Sequence, residues 1–397
     1  MSLNLDKATW KRVAFGEAID SITDRVDNPS EAGVDRYVGL EHLDSGVMTV
    51  QRWDSPDKVA AQKLRFLRGD VIFGRRRAYQ KKVAKAEFEG ICSAHALVLR
   101  ARPEYVDTDF LPVFLSSDYF LERAIEISVG SLSPTVNWGD LKVQEFNLPP
   151  LDEQKRIADL LWAVERHRSE ALRVHERQVA AHCRSLPAIL FKDAAGEPRS
   201  IGDVASVRHG FAFPSSGFSD DLCYPSVTTP GNFSIGGGWQ EAPPKTFAGS
   251  YGTEFVLKPG DVVVTMTDLS KAGDTLGYSA LVPDGRTYLH NQRVGKVVVK
   301  AGAEVVPDFL AWVLRTIDYR AYILRTAAGS TVRHTSPKRI EQYRVRFPAE
   351  TAQRAALDKL QRLADAQTAI LSEIAALRDL RSTIGDLIFG GTDAAVQ

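Results

Sequence analysis

The stretch Asn147-Leu148-Pro149-Pro150-Leu151-Asp152-Glu153-Gln154-Lys155-Arg156-Ile157 marks a change of structural regime. Upstream, short apolar runs alternate with Gly, Pro, Ser and Asp clusters, the pattern of strands and turns. Downstream, apolar or small residues recur at steps of three and four, the pattern of a helix. The proline pair stops the first regime, and Asp152 and Glu153 bring negative charge to the positive end of a helix dipole. Ile157, Leu160 or Leu161, Val164, Ala171, Val174, Val179, Cys183 and Leu186 then line one stripe. About 34 helical residues at ~1.5 Å each span ~50 Å. A globule of ~140 residues has a gyration radius near ~14 Å and is too small to bury such a stripe. The stripe calls for a second helix.

That helix exists further along. Leu357, Leu360, Leu363, Gln367, Ile370 or Leu371, Ile374, Leu377, Leu380, Ile384 and Leu387 repeat the spacing. It belongs to a repeat of the whole chain. Asp109-Phe110-Leu111 is answered 199 positions later by Asp308-Phe309-Leu310, and Gly130-Ser131 by Gly329-Ser330. Leu148-Pro149 matches Phe347-Pro348, and Gln154-Lys155 matches Gln353-Arg354. Arg68-Gly69-Asp70-Val71 resembles Lys258-Pro259-Gly260-Asp261-Val262. An ordered series of this kind is the signature of a duplicated architecture. The expected class is α+β: a mixed domain over 1–150, a helix over 151–192, a second mixed domain over 193–349, and a helix with a C-terminal tail over 350–397. The two helices are expected to bury their stripes against each other as a coiled coil.

The 397 residues hold 50 Lys+Arg and 50 Asp+Glu, with 44% hydrophobic residues and three cysteines. Wholesale disorder and a collagen-like chain are excluded by that balance. No run approaches the ~18 apolar residues of a membrane span, and the polar N-terminus lacks a signal core, so the expected location is the cytoplasm. Isolated Cys92, Cys183 and Cys223 suit a reducing compartment. Enzyme motifs are lacking. Gly295-Lys296 runs into valines where a phosphate loop needs Ser or Thr, and Ser234-Ile-Gly-Gly-Gly238 reads as a turn. Glu153-Gln154-Lys155 starts a helix, which suits capping better than the carboxylate cluster of a nuclease. His175 and His182 fit a helix seam better than a metal site. The chain is expected to be no enzyme, with no cofactor and no metal of its own.

Zero net charge conceals segregation. Nine basic residues and one acidic residue lie between Lys63 and Lys85, centred on Arg75-Arg76-Arg77-Ala78-Tyr79-Gln80-Lys81-Lys82. Arg315 to Arg346 holds eight basic residues against two acidic ones. Such patches attract phosphates, and forked guanidiniums suit the O6/N7 edge of guanine. The candidate DNA contacts are therefore Arg75, Arg76, Arg77, Tyr79, Lys81, Lys82 and Ser131 in the first half. In the second they are Lys271, Asn291, Gln292, Arg293, Thr331, Arg333 and Lys338. Differing loops imply that the halves read different sequences. The competing reading is a duplicated coiled-coil interaction scaffold with incidental basic patches.

The junction Asn147 to Ala158 resembles the segment joining recognition domain to spacer helix in type I restriction-modification specificity (S) subunits. Gly130-Ser-Leu-Ser-Pro134, Trp138-Gly-Asp-Leu141 and Phe66-Leu-Arg-Gly-Asp-Val-Ile-Phe73 are similar to that family too. The resemblance implies two target-recognition domains, each reading half of a bipartite DNA site. It also implies antiparallel spacer helices and two docked modification subunits that bind S-adenosylmethionine and methylate adenine. Restriction motor subunits would join for cleavage. Gln154, Arg156, Gln353 and Arg354 are the candidate partner contacts. The second junction, Arg346-Phe-Pro-Ala-Glu-Thr-Ala-Gln353, lacks the Pro-Pro and the Glu-Gln pair, which leaves the start of the distal helix open.

Overall fold

A computed structural model describes residues 6–390. The tail expected beyond the distal helix, and the first five residues of the first expected domain, lie outside them. Helices and strands are mixed throughout, and two long helices, Leu151–Phe191 and Glu350–Phe389, stand out. The chain divides into two units. The first comprises Met1–Val174 with Ile370–Gln397, and the second His175–Ala369. Each unit joins a globule to a segment of both long helices.

In the first unit a four-stranded sheet runs in the order Ile19–Ile22, Leu97–Ala101, Val71–Phe73, Val83–Lys85, antiparallel throughout. Val71, Ile72 and Phe73 are all fully buried. A central strand covered on both faces needs such an unbroken apolar run. The turn before it explains Arg68-Gly69-Asp70. Gly69 adopts φ 97°, open to glycine, and Asp70 accepts the Leu67 amide at 2.8 Å. The Asp70 carboxylate also takes a two-pronged bond from Arg100 on the neighbouring strand, at 2.7 and 2.9 Å. A second sheet pairs Arg25–Val26, Lys63–Phe66, Gly90–Ser93 and Tyr37–Val38, the last two in parallel.

The second unit repeats the plan. Ala205–His209, Val294–Val299, Val262–Thr265 and Ser279–Leu281 form the same antiparallel order. The turn recurs as well: Gly260 has φ 80°, and Asp261 accepts the Lys258 amide at 2.7 Å and pairs with Lys296 at 2.5 Å. The second sheet gains Phe218–Ser219 and Thr246–Phe247, which bracket a stretch rich in Gly and Pro.

The core of the first unit gathers Phe15, Phe110, Phe114, Phe120 and Phe146 with Ile157, Ala158 and Leu161 of one long helix and Ile388 and Phe389 of the other. Phe114 meets five aromatic rings there, including Phe389 at 6.3 Å between centroids. Burying each such side chain contributes ~1.5–3 kcal/mol. Trp10 meets the Phe389 ring edge-on, and the Lys7 ammonium donates to the Gly390 carbonyl. The second core holds Phe309, Leu310, Tyr319 and Ile340 with Leu186, Leu190, Ala356 and Leu360.

Helix burial follows the expected stripes only near the globules. Ile157, Leu161, Leu186 and Leu360 are buried, whereas Val179, Leu363, Leu371 and Leu380 are exposed. Further along, the first unit joins the two helices through polar groups. In the first unit Glu165 is buried and accepts from Arg168 at 2.6 and 3.0 Å and from Arg381 at 3.3 Å. His167 bonds Glu373 at 2.8 Å. In the second unit the His182 ring lies 5.6 Å from Trp312, and burial holds its pKa below the usual histidine value.

Candidate nucleic-acid interface

The strand Val71–Phe73 runs out into Gly74-Arg75-Arg76-Arg77, where a hairpin meets it. Val129 and Thr135 exchange backbone bonds at 2.9 and 3.0 Å, and Gly130 turns the chain at φ 117°. The hairpin's second arm continues the sheet. Thr135 bridges Arg76, the Val136 amide donates to the Arg75 carbonyl at 3.0 Å, and the Arg77 amide donates to Pro134 at 2.6 Å. The basic run and the Gly130-to-Pro134 motif, more than fifty residues apart in sequence, are thus one structure. Ser133 locks it: its hydroxyl accepts from Arg76 Nε at 3.0 Å and Arg77 Nε at 3.3 Å. Both arginines are exposed, and neither has a carboxylate within ion-pair distance among the described residues.

The backbone after the arginines is tightly turned. Arg77 and Lys81 both sit in the left-handed region, at φ 57° and 50°, around the single turn Ala78–Gln80. Non-glycine residues rarely adopt it and lose of order 1 kcal/mol there. The turn displays Tyr79, which is 53% exposed. It also directs two candidates elsewhere. Lys81 pairs with Asp118 at 2.5 Å, and Lys82 donates to the Leu40 carbonyl at 2.6 Å. Arg75 is half-buried, its Nε enclosed without a partner. Of the basic run, Arg76 and Arg77 are therefore the open charges.

The second unit builds the same platform from other side chains. Val262–Thr265 leads into Met266-Thr267-Asp268, and Thr267–Asp268 pairs with Arg333–His334. His334 exchanges bonds with Ala328, Gly329 turns at φ 90°, and the Thr335 amide donates to Met266 at 3.0 Å. Position by position, Met266, Thr267 and Asp268 stand where Arg75, Arg76 and Arg77 stand. The serine clamp becomes Thr267 Oγ1 with His334 Nδ1, 3.2 Å apart. Asp268 turns inward. Burial works against its charge, but bonds from the Ser270 amide and from the Thr275 amide and hydroxyl hold its pKa below the usual carboxylate value. That loop displays Lys271, which is exposed.

The remaining candidates gather around this platform unequally. The Met266 amide donates to the Arg293 carbonyl at 2.9 Å, so Asn291-Gln292-Arg293 lies beside it. Gln292 and Arg293 are exposed, but Asn291 Oδ1 already accepts the Arg293 amide at 2.8 Å. Thr331 is exposed at the hairpin tip and Lys338 on the short helix Pro337–Glu341. Arg333 is half-buried and donates to the Leu324 carbonyl at 3.0 Å. Ser131 is exposed on the first hairpin. Leu132 beside it, Ser133 and His334 were not among the candidate contacts; an isolated leucine within a Gly-Ser-Ser-Pro turn was the available signal.

Two partner candidates are corrected. Gln154 and Gln353 are 1% and 0% exposed. Gln154 accepts the Asp107 amide at 2.8 Å and donates to Tyr105 and Pro149 carbonyls, both at 2.9 Å. Gln353 accepts the Val306 amide at 2.9 Å and donates to Glu304 at 3.0 Å and Pro348 at 2.8 Å. These amides clamp each globule to its helix start and have nothing left for a partner. The clamp also fixes the distal helix at Glu350 although its junction lacks the Pro-Pro pair. Arg156 and Arg354 stay at the surface, pairing with Glu153 at 3.1 Å and Glu350 at 2.6 Å.

Among the described residues no cluster of three or more His, Cys, Asp and Glu is placed to hold a metal, and no helix is long and apolar enough to cross a membrane.

Residues 36–177 match the family described as the type I restriction modification DNA specificity domain. That segment holds the first hairpin platform and the start of the central helix. Over 150 residues the chain is 26% identical to the type I restriction enzyme EcoDI specificity subunit of Escherichia coli. The match covers 37% of this chain and 33% of that one, so it spans about a third of the relative's length. Two solved structures share the fold along nearly the whole chain. One comes from a study of complex assembly and conformational transition of the type I R-M system, with TM-score 0.63, 21% identity, and 99% and 100% of the two chains covered. The other is the type I restriction-modification S subunit from M. genitalium, with TM-score 0.54, 14% identity and 98% of each chain covered. The resemblance to type I restriction-modification specificity subunits, read first from the junction and hairpin motifs, is borne out.

Proposed function

We propose that the chain is the non-catalytic, sequence-specific DNA-binding specificity subunit of a type I restriction-modification complex. Each unit reads one half of a bipartite, gapped site, and the two long helices pack as an antiparallel coiled coil that sets the gap. Their outer faces dock two modification subunits, which carry S-adenosylmethionine, and restriction motor subunits join that assembly. The observation that carries this reading is the hairpin platform with Arg76 and Arg77 held open on it, built twice with different side chains. Uncompensated guanidiniums on a rigid ribbon suit phosphates and guanine edges. Exposed Val179, Leu363, Leu371 and Leu380 on the long helices give partner subunits apolar surface to cover.

Methylome sequencing of cells expressing the chain with its modification subunits tests the reading. The expected result is one asymmetric motif with an unspecified gap; methylation independent of this chain refutes it. A heptad inserted after both Ala171 and Ile374 adds ~10.5 Å of helix. The gap should then lengthen by about three base pairs at ~3.4 Å per step. An unchanged gap refutes the ruler.

A further inference from the structure

The first hairpin ends in a feature that neither charge nor backbone requires. Leu132, at its tip, is 92% exposed, ahead of Ile235 at 75% and Leu269 at 72% among the described residues. The hairpin does not let it fold back. Its arms are bonded to each other through Val129 and Thr135, its turn is set by Gly130, and its second arm is fixed to the strand through Arg76. An apolar side chain is therefore held in water on a rigid support, directly before the serine that orients two guanidiniums. Its own neighbours in the turn, Ser131 and Ser133, are small and polar, so nothing covers it.

We infer that Leu132 is a specificity-determining residue of the first unit, which contacts the C5-methyl group of one thymine in the major groove; this rests on the DNA-reading role proposed above. Three observations fix the chemistry. A two-stranded ribbon fits the major groove, which is ~12 Å wide. Arg76 and Arg77 are exposed and donate through Nε to Ser133, the residue after the leucine, and guanidiniums suit the O6 and N7 acceptors of guanine. The thymine methyl is the apolar group on that groove edge, and it distinguishes A·T from every pair that lacks it. Charge complementarity selects DNA as the occupant, because the residue after the leucine is bonded by two cations that have no carboxylate partner among the described residues. The second unit carries Thr331 at the same position, with Thr267 and Asp268 in place of the arginines. Threonine offers a hydroxyl and only one methyl there, so the fully apolar tip belongs to the first unit alone.

The test uses the full chain in complex with its modification subunits, on duplexes carrying the motif that methylome sequencing defines. Each thymine is replaced singly by deoxyuridine, and affinity is read by fluorescence anisotropy. A failure to find any motif dependent on this chain overturns the DNA-reading role itself. With a motif in hand, one thymine in one half-site should show about fourfold weaker binding without its methyl, the effect of one methyl-sized group at ~0.8 kcal/mol. Leu132→Ala should weaken binding to the unmodified duplex by a similar factor, abolish the deoxyuridine penalty, and leave the other half-site and the melting temperature unchanged. The inference is overturned if every deoxyuridine duplex binds the wild-type complex normally, or if the penalty persists in Leu132→Ala. It is also overturned if Leu132→Ala releases the modification subunits while the methylated motif stays the same.

Discussion

The two hairpin platforms share a backbone and differ in almost every side chain that faces outward. Thr135 bridges Arg76 as His334 pairs with Thr267, and Val136 meets Arg75 as Thr335 meets Met266. Glycine makes the turn in both, at φ 117° and 90°. On this shared frame the first unit presents two guanidiniums and a leucine. The second presents the His334 imidazole and Thr331, with Thr267 buried and Asp268 folded inward. The difference teaches which features are scaffold and which are free to vary. Residues that close the turn, cap the strand or clamp the helix recur; residues on the outer surface of the ribbon do not.

The largest test removes the charge that separates the platforms. Arg76→Ala with Arg77→Ala should weaken DNA binding by ~1–3 kcal/mol per residue and lower the salt slope by roughly one for each phosphate no longer neutralised. Thr267→Ala in the second unit should leave the salt slope unchanged. A gel-shift series over salt concentration reads both, and unchanged affinity of the double variant at ~150 mM salt breaks the comparison. The shared parts should respond alike. Gln154→Ala and Gln353→Ala each strand one amide and two carbonyls, and should cost ~2–3 kcal/mol in denaturant unfolding. A large cost in one unit only would mean that the clamps are not equivalent.

Two smaller effects sharpen the contrast. Arg77→Gly relieves the left-handed strain and should raise stability by up to ~1 kcal/mol in thermal melting while weakening DNA binding. A loss of both would show that the side chain also holds the loop. Asp268→Asn removes a carboxylate whose folded pKa is depressed, so its contribution is complete above the ordinary value of ~3.9 and vanishes as pH falls through the lower folded one. The melting-temperature advantage of wild type over the variant should shrink on acidification; an advantage that grows would contradict the inward role of Asp268.

Much of this organisation was legible in the sequence. The duplication, the two long helices and the turn formed by Arg68-Gly69-Asp70 follow from spacing and residue type, because local geometry dictates them. The site was legible in outline. Arg76 and Arg77 were among the candidates, but so were Lys81 and Lys82, whose ammonium groups bond Asp118 and the Leu40 carbonyl. A run of like residues does not reveal which members the tertiary fold consumes. Gln154 failed as a surface candidate for the same reason, since its three partners come from the preceding loop and the junction. Leu132 was missed because apolar residues are ordinarily counted toward a core.

The composition of the first unit has a consequence for how damage spreads along the chain. Phe389, Ile388 and Ile384 lie against Trp10, Phe110 and Phe114. A frameshift or proteolytic cut late in the distal helix is therefore felt far back in the sequence, in the core of the first unit, while the second unit keeps all its own residues. Recombination between relatives meets the same constraint. A first globule exchanged without a matching final helical turn arrives with an open core, so the segments that travel together are distant in the gene.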